Sequence, residues 1–439
     1  MEPSTNRIGC SPRIGTSPRS WLLTAAVIAL AWCALVYPPK PILRLMADSE
    51  QYRAMASSIL NGDLFHQVDT STISHLAMVM RPPLFPLLLA VSGLIPVEPS
   101  IALVSLHLFL AIPILILAPI TLRKLYPPPL TALACGISLY SAKQVLWGDM
   151  SEWLAMSCIF SSTLALLVWS NTKRPLSAFL TSLFVTLAIL TRSAFIPWLI
   201  IPAAIVFFTP RGSRRGALLV ITLGLVPLGI WGALQLHRVQ SFSLGAYEGL
   251  NLVATARTLG PLPVTAHDSN EKRLVIQRIN DRGITSIDME HSPSKVHEWD
   301  GEFYDAFHQN FDEVCASIQN APPGTTIAAP LLAARGFWEH AGRYGIFLRG
   351  GIETFISNYA MLPLSCLAVA TWLLIRSPRD HPLATATITI CTVTGIYLAS
   401  IFSSILWLYR YFIPVQPGLI FLELVSLFAL LRSFFGKAR

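Results

Sequence analysis

The chain has 439 residues, of which 53% are hydrophobic and only 13% charged, about half the charged share of a soluble domain. Apolar runs of roughly 17–25 residues recur along it, each long enough to cross a hydrocarbon core of ~30 Å, and this pattern excludes a soluble globular protein. The formal net charge of +8 does not point to nucleic acid, because the basic residues cluster at the ends of apolar runs, where they orient membrane spans.

In chain order, a tail carrying Arg7, Arg13 and Arg19 precedes the first apolar run, Trp21 to Tyr37. No small-x-small cleavage site closes that run, so it reads as an uncleaved first span rather than a signal peptide. Further crossings are expected near 100–122, 129–146, 152–170, 175–191, 194–208, 216–236, 351–375, 383–404 and 411–431. Arg123/Lys124, Lys173/Arg174, Arg211/Arg214/Arg215, Arg376/Arg379 and the Arg432/Lys437/Arg439 tail then share one side with the N-terminal arginines. The positive-inside rule makes that side cytoplasmic. Pro82 to Pro96 is apolar but only about 15 residues long, which suits an interfacial or re-entrant helix better than a crossing. A crossing there would also place the N-terminal arginines opposite every later basic cluster.

These elements describe an all-α polytopic membrane protein with about 10 transmembrane helices. Residues 1–20 form a cytoplasmic tail, and 21–236 an N-terminal transmembrane module with a first outer loop over 38–99. Residues 237–350 form an extracytoplasmic segment, and 351–439 the C-terminal spans and tail. The extracytoplasmic segment is too long for a connector and reads as a small domain or lid. Helices are expected in it near 270–281 and 300–319, with an amphipathic stretch at 326–348 placed on the membrane. No internal repeat is evident, which argues against an inverted-repeat transporter.

Within the first outer loop, Tyr52, Met55, Ala56, Ile59 and Leu60 form one apolar stripe and predict a helix from Ser49 to about Leu60. Asn61-Gly62 ends it. An amphipathic helix in this position can lie flat in the membrane interface. Asp48 precedes the helix with Gln51 three residues later, as in a capping box. A cap alone is worth roughly 0.5–2 kcal/mol, and it would also fix the carboxylate on a rigid element, as a catalytic group requires. Arg81-Pro82-Pro83-Leu84 places an arginine beside the first turn of a second short helix. That arginine suits either a snorkelling interfacial role or a phosphate ligand.

Other charged residues face the same side. Asp149 and Glu152 lie in the second outer loop, and Glu50 lies beside Asp48, all three as supporting acids. Arg192 and Arg410 each interrupt apolar sequence, where an arginine is costly unless paired or near water. Trp407, Tyr409 and Tyr411 beside Arg410 also fit an interfacial anchor. The six histidines of the segment 237–350 have no metal-binding spacing. The seven cysteines form no disulfide or zinc pattern, and five lie inside apolar runs as small buried groups.

Several ordered elements resemble the GT-C superfamily of integral membrane glycosyltransferases. The nearest branch includes protein O-mannosyltransferases and bacterial aminoarabinose-type lipid A transferases. The elements are Asp48 with the Tyr52-x-x-x-Ala56 helix and Arg81-Pro82-Pro83-Leu84-Phe85-Pro86. The acidic loop with Asp149 and Glu152 and the run Leu190-Thr191-Arg192-Ser193 follow. Gly249-Leu250-Asn251-Leu252 and Arg410-Tyr411-Phe412-Ile413-Pro414-Val415-Gln416-Pro417 complete the set. Ser193 stands where that family often has proline, and the large outer segment matches none of its elements.

The resemblance implies a GT-C-like bundle and an inverting transfer of sugar from a polyprenyl-phosphate or polyprenyl-diphosphate donor. The acceptor would be a lipid, glycan or protein on the extracytoplasmic face of a bacterial cytoplasmic membrane. It further implies Asp48 as general base, with Arg81, Arg192, Arg410 and Tyr411 at the donor phosphate. No cofactor is expected. A divalent ion at Asp48, Asp149 and Glu152 is the disfavoured variant, because this branch mostly works without one. Two other classes stay open at this stage, a transporter or flippase of a lipid-linked saccharide and a non-catalytic membrane scaffold.

Overall fold

The computed structural model describes residues 26–27, 49–63, 81–97, 99–123, 126–145, 151–239, 244, 247–282, 309–318, 325–342, 345, 356, 359–402 and 411–435. Asp48, Asp149, Arg410 and all but two residues of the first apolar run lie outside the described residues, as does the Glu50 side chain.

All regular structure among the described residues is helical. A polypeptide surrounded by lipid must satisfy its backbone polar groups internally, and a helix does so within one segment. The helices are α1 (Ser49–Leu60), α2 (Leu84–Gly93), α3 (Pro99–Leu122), α4 (Pro128–Ser141), α5 (Glu152–Thr172), α6 (Pro175–Thr191), α7 (Ile200–Phe208) and α8 (Arg214–Val239). A module of α9 (Tyr247–Leu259), α10 (Asn270–Asp281), α11 (309–318) and α12 (Thr325–Glu339) follows. The chain ends with α13 (Met361–Arg376), α14 (His381–Phe402) and α15 (Gln416–Phe435). Five stretches are long and apolar enough to cross a membrane: Ile101–Leu122, Glu152–Thr172, Arg211–Arg238, Pro378–Ile401 and Gln416–Phe435. The chain is thus an all-helical, polytopic integral membrane protein.

Helix α5 is the axis of the bundle. It is buried on nearly every side and packs against α3, α6, α14 and α15, with buried serine and threonine hydroxyls bonding to backbone carbonyls. Helix α8 is peripheral. One side packs on α6, and the rest presents Leu219, Leu223 and Ile230 outward. Small residues set the α6–α8 approach. Ser182 Oγ donates to the Ile221 carbonyl at 3.0 Å, and a Cβ placed on Gly224 would fall 2.8 Å from the Ser182 Cβ. Close backbone approach through small residues is how helices associate where burial of apolar surface supplies no drive.

The two ends of the bundle differ chemically. At one end Arg432 Nη2 donates to Asp380 Oδ1 at 2.6 Å, joining the end of α15 to the start of α14. Tyr126, just after α3, is near enough that burial and the Asp380 charge together push its phenol pKa up. At the other end lie α1, the start of α5, the end of α6 and the turn preceding α15.

Several elements differ from the sequence reading. The expected 194–208 span divides into a 3-10 segment, Ser193–Leu199, and then α7. Pro197 and Pro202 remove backbone donors there, which favours the tighter turn. The expected 129–146 span ends as a helix at Ser141 and continues as a short 3-10 turn, Lys143–Val145. Helix α2 has only ten residues, about 15 Å of length. Pro83 stands at its N-cap, just outside the first turn. Helix α1 spans Ser49–Leu60 as expected, with Gly62 at φ +84°, but its stripe is not laid on lipid. Tyr52, Met55 and Ala56 are buried against protein, and Phe85 of α2 meets Tyr52 edge-on at 4.9 Å.

The 237–350 module also packs on itself. Helix α12, expected on the membrane, lies against α9, and Gly336 lets it approach Ala256 closely. Asn280 bridges the α9–α10 connection through two hydrogen bonds with the Leu262 backbone, both 2.9 Å. Asp268 receives a fork from Arg335, 2.8 Å to Oδ2 and 3.1 Å to Oδ1, and the Thr265 amide at 2.7 Å. The Arg335 hydrogen bonds hold the Asp268 carboxyl well below the usual carboxylate range, against the opposing effect of its burial.

Two predictions follow from this packing. Gly224→Val forces α8 off α6 and costs about 1–3 kcal/mol, read as a lower melting temperature in detergent. Gly229→Val, with open space at its Cβ, leaves it unchanged. The folded pKa of Asp268 is depressed, so its contribution is complete above the unfolded value of about 3.9 and is lost as pH falls below it. Limited proteolysis from pH 6 down to pH 2 reads this out, and the α9–α12 module becomes cleavable in acid. Arg335→Leu brings cleavage at a higher pH.

Candidate functional site

The site is built from five chain segments meeting at the end of the bundle that carries α1. Gln51 and Tyr52 lie in the first turn of α1. The rigid Pro82-Pro83 pair holds Arg81 ahead of α2, where the residue is only 5% exposed. Its Nε and Nη2 donate to Gln51 Oε1 at 3.0 and 2.8 Å, and its guanidinium stands 4.9 Å from the Tyr52 ring centroid. Gln51 is therefore engaged by an arginine 30 residues away.

From Tyr52 the network enters the bundle. The Tyr52 and Ser151 hydroxyls share a hydrogen bond of 3.0 Å. Ser151 stands at the N-cap of α5 but makes no side-chain cap, which leaves its hydroxyl for Tyr52 and for Arg192 Nη1 at 3.4 Å. Glu152 follows at the first position of α5, where the helix dipole favours a negative charge. Arg192 leaves α6 in an extended conformation and turns its guanidinium onto the Glu152 carboxylate. Glu152 is fully buried and the Arg192 side chain is 10% exposed. The Arg192 guanidinium also lies 4.8 Å from the centroid of Tyr411. The Tyr411 carbonyl accepts from Tyr397 at 3.0 Å, and Phe195 stacks on Tyr397 at 4.6 Å.

Of the sequence candidates, Arg81, Glu152, Arg192 and Tyr411 thus come together, joined through Gln51, Tyr52 and Ser151. Asp48, Asp149 and Arg410 lie outside the described residues. Ser49, which follows Asp48 in the chain, is buried at the N-terminus of α1. Sequence reading did not single out Tyr52 and Ser151 as polar connectors. Tyr52 was read as part of the apolar stripe and of the Tyr52-x-x-x-Ala56 element, although a buried tyrosine hydroxyl ordinarily requires a partner. Glu152 Oε2 is buried without a hydrogen-bond partner among the described residues. No group of three or more His, Cys, Asp or Glu side chains suited to a metal ion occurs among the described residues.

Helix α11 of the module lies near enough to Arg81 for Cys315 to feel its charge. Burial pushes the Cys315 thiol of α11 up to about 12; Asp312 adds to the shift and the Arg81 charge opposes it. Another buried arginine, Arg238, lies in the last turn of α8, and its ring partner Trp231 packs with Met55 of α1 and Leu190 of α6. Sequence reading missed it. Its signal was the polar run Gln235-Leu236-His237-Arg238 ending an apolar span.

No family model and no curated protein matches the chain. Among solved structures, the crystal structure of ArnT from Cupriavidus metallidurans bound to undecaprenyl phosphate is similar over 94% of this chain and 79% of that one, with 15% identity and a TM-score of 0.38. At that level the likeness assigns no residue a role.

Glu152→Gln leaves Arg192 buried without its counter-charge and destabilises the protein by about 3–5 kcal/mol. Thermal unfolding in detergent reports this as a drop in melting temperature. Glu152→Gln combined with Arg192→Met recovers most of the loss, because the pair's burial is then no longer opposed by a lone charge.

Proposed function

We propose that this chain is a membrane glycosyltransferase that moves a sugar from a polyprenyl-phosphate or polyprenyl-diphosphate carrier to a hydroxyl acceptor outside the cytoplasm. The observation that carries the reading is the meeting of Arg81, Glu152, Arg192 and Tyr411 beneath α1, the helix that begins immediately after Asp48. The same residues belong to the ordered sequence elements that resemble the GT-C superfamily.

In this mechanism Asp48 acts as general base. The acceptor oxygen attacks the anomeric carbon as the bond from that carbon to the carrier phosphate oxygen breaks, and the configuration inverts. The acceptor proton passes to the Asp48 carboxylate, and the electron pair of the broken bond leaves with the phosphate. Fixed positive charge at the leaving group lowers the barrier, because its donors need no reorganisation as charge develops. Glu152 orients Arg192 and limits its net charge, so its role is positioning. The acceptor is a lipid, glycan or protein hydroxyl, and the carrier tail lies along the membrane-facing helices. The active face is extracytoplasmic, in a bacterial cytoplasmic membrane.

Asp48→Asn tests the assignment in proteoliposomes supplied with radiolabelled polyprenyl-phosphate sugars. Transfer falls by about 10²–10⁴-fold, while insertion and melting temperature stay near wild type. Full transfer by Asp48→Asn would remove the base assignment. Labelled lipid crossing the bilayer without a new glycosidic bond would identify a transporter instead.

A further inference from the structure

Arg238 lies on the last turn of α8 and is 2% exposed. Its Nη1 donates to Gln235 Oε1 at 3.3 Å, and its guanidinium carbon is 5.7 Å from the Trp231 ring centroid. Nε and Nη2 are buried and meet no acceptor among the described residues. These two nitrogens form one edge of the guanidinium, the edge that matches two oxygens of a phosphate in a fork. No ion pair among the described residues includes Arg238, and the helix C-terminus offers it only partial negative charge. A buried guanidinium with an idle edge is unfavourable until an anion fills that edge.

The other two buried arginines at this end are differently placed. Arg192 is neutralised by Glu152, and the corresponding Nε–Nη2 edge of Arg81 is closed by Gln51. Trp231, beneath Arg238, packs with Met55 of α1 and with Leu190, two residues before Arg192. Arg238 therefore belongs to the same end of the bundle as the candidate site, on the flank formed by α1, α6 and α8. That flank continues into the outward apolar face of α8, which presents Leu219, Leu223 and Ile230.

We propose that Arg238 is a phosphate ligand whose Nε and Nη2 grip the headgroup phosphate of a lipid lying along α8. The choice of occupant, the phosphate of the polyprenyl carrier, rests on the transferase reading above. A membrane phospholipid presents the same phosphate chemistry, and the test separates the two sources.

The test uses the full-length protein in detergent micelles, with binding read by native mass spectrometry and stability by thermal unfolding. The probes are a short-chain polyprenyl phosphate, the matching uncharged polyprenol, and phosphatidylglycerol. Wild-type protein prefers the polyprenyl phosphate to the polyprenol by about tenfold or more, as a charge-assisted contact implies. Arg238→Met loses that preference while polyprenol binding stays, and Arg238→Lys keeps part of it. Without lipid, Arg238→Met melts no lower than wild type, because it removes an unpaired buried charge.

An Arg238→Met protein that keeps the wild-type preference overturns the assignment and leaves the Asp48 reading untouched. A lower lipid-free melting temperature with equal loss of both polyprenyl probes also overturns it, since that marks a merely structural arginine. Arg238-dependent binding of phosphatidylglycerol, with no preference between the two polyprenyl probes, upholds the phosphate ligand and removes the carrier from the transferase reading.

Discussion

Glu152 and Arg192 lie in the interior of a membrane-embedded bundle, and neither charge is tolerable there alone. Their pairing constrains much around them. It fixes the first residue of α5 against the residue that leaves α6, so the α5–α6 hairpin is closed at its open end as well as at its connecting turn. It also sets the Arg192 guanidinium against Tyr411, which anchors the turn preceding α15. Through Ser151 and Tyr52 the same cluster holds α1, and through Gln51 it reaches Arg81. Five segments distant in sequence are thus linked through one ion pair.

The surrounding bundle makes that arrangement rigid. Helix α5 is enclosed by α3, α6, α14 and α15, and Trp153 at its start donates to the His107 carbonyl of α3 at 3.0 Å. Gly224 and Gly418 permit close approach at two helix contacts, against Ser182 and Thr163. The polar residues therefore meet on helix termini whose positions are fixed by packing. Most charged groups gather at the two ends, although Glu423 sits midway along α15 with a buried carboxylate oxygen. The end bearing Asp380 and Arg432 closes α14 on α15, while the opposite end gathers Arg81, Arg192, Tyr52, Tyr411 and the Glu152 carboxylate.

Much of this was legible in the sequence. The stripe from Tyr52 to Leu60 and the Asn61-Gly62 stop located α1 to the residue, and Arg174-Pro175 and Arg192 bounded α6 equally well. The short apolar run Pro82–Pro96 was read as a short helix, and α2 has ten residues. Other features were hidden. A continuous apolar run over 194–208 concealed a 3-10 segment, because hydropathy does not report missing proline donors. The amphipathic stretch at 326–348, which holds most of α12, was read toward lipid, because its partner α9 lies some 70 residues earlier in the chain. Arg238 passed as an ordinary charge at the end of a span.

By itself the sequence determined the membrane class of this protein, the ends of α1 and α6 and the candidate residues Arg81, Glu152, Arg192 and Tyr411. Those follow from local quantities: run length, helical period, turn chemistry and the cost of a charge in lipid. Only the tertiary structure decided which of these residues touch, that Glu152 neutralises Arg192, that Gln51 occupies Arg81, and that Arg238 keeps an idle edge. The physical reason is that a buried charge is defined by its partner. Here the partners lie 30, 40 and 99 residues apart and meet only when the helices pack.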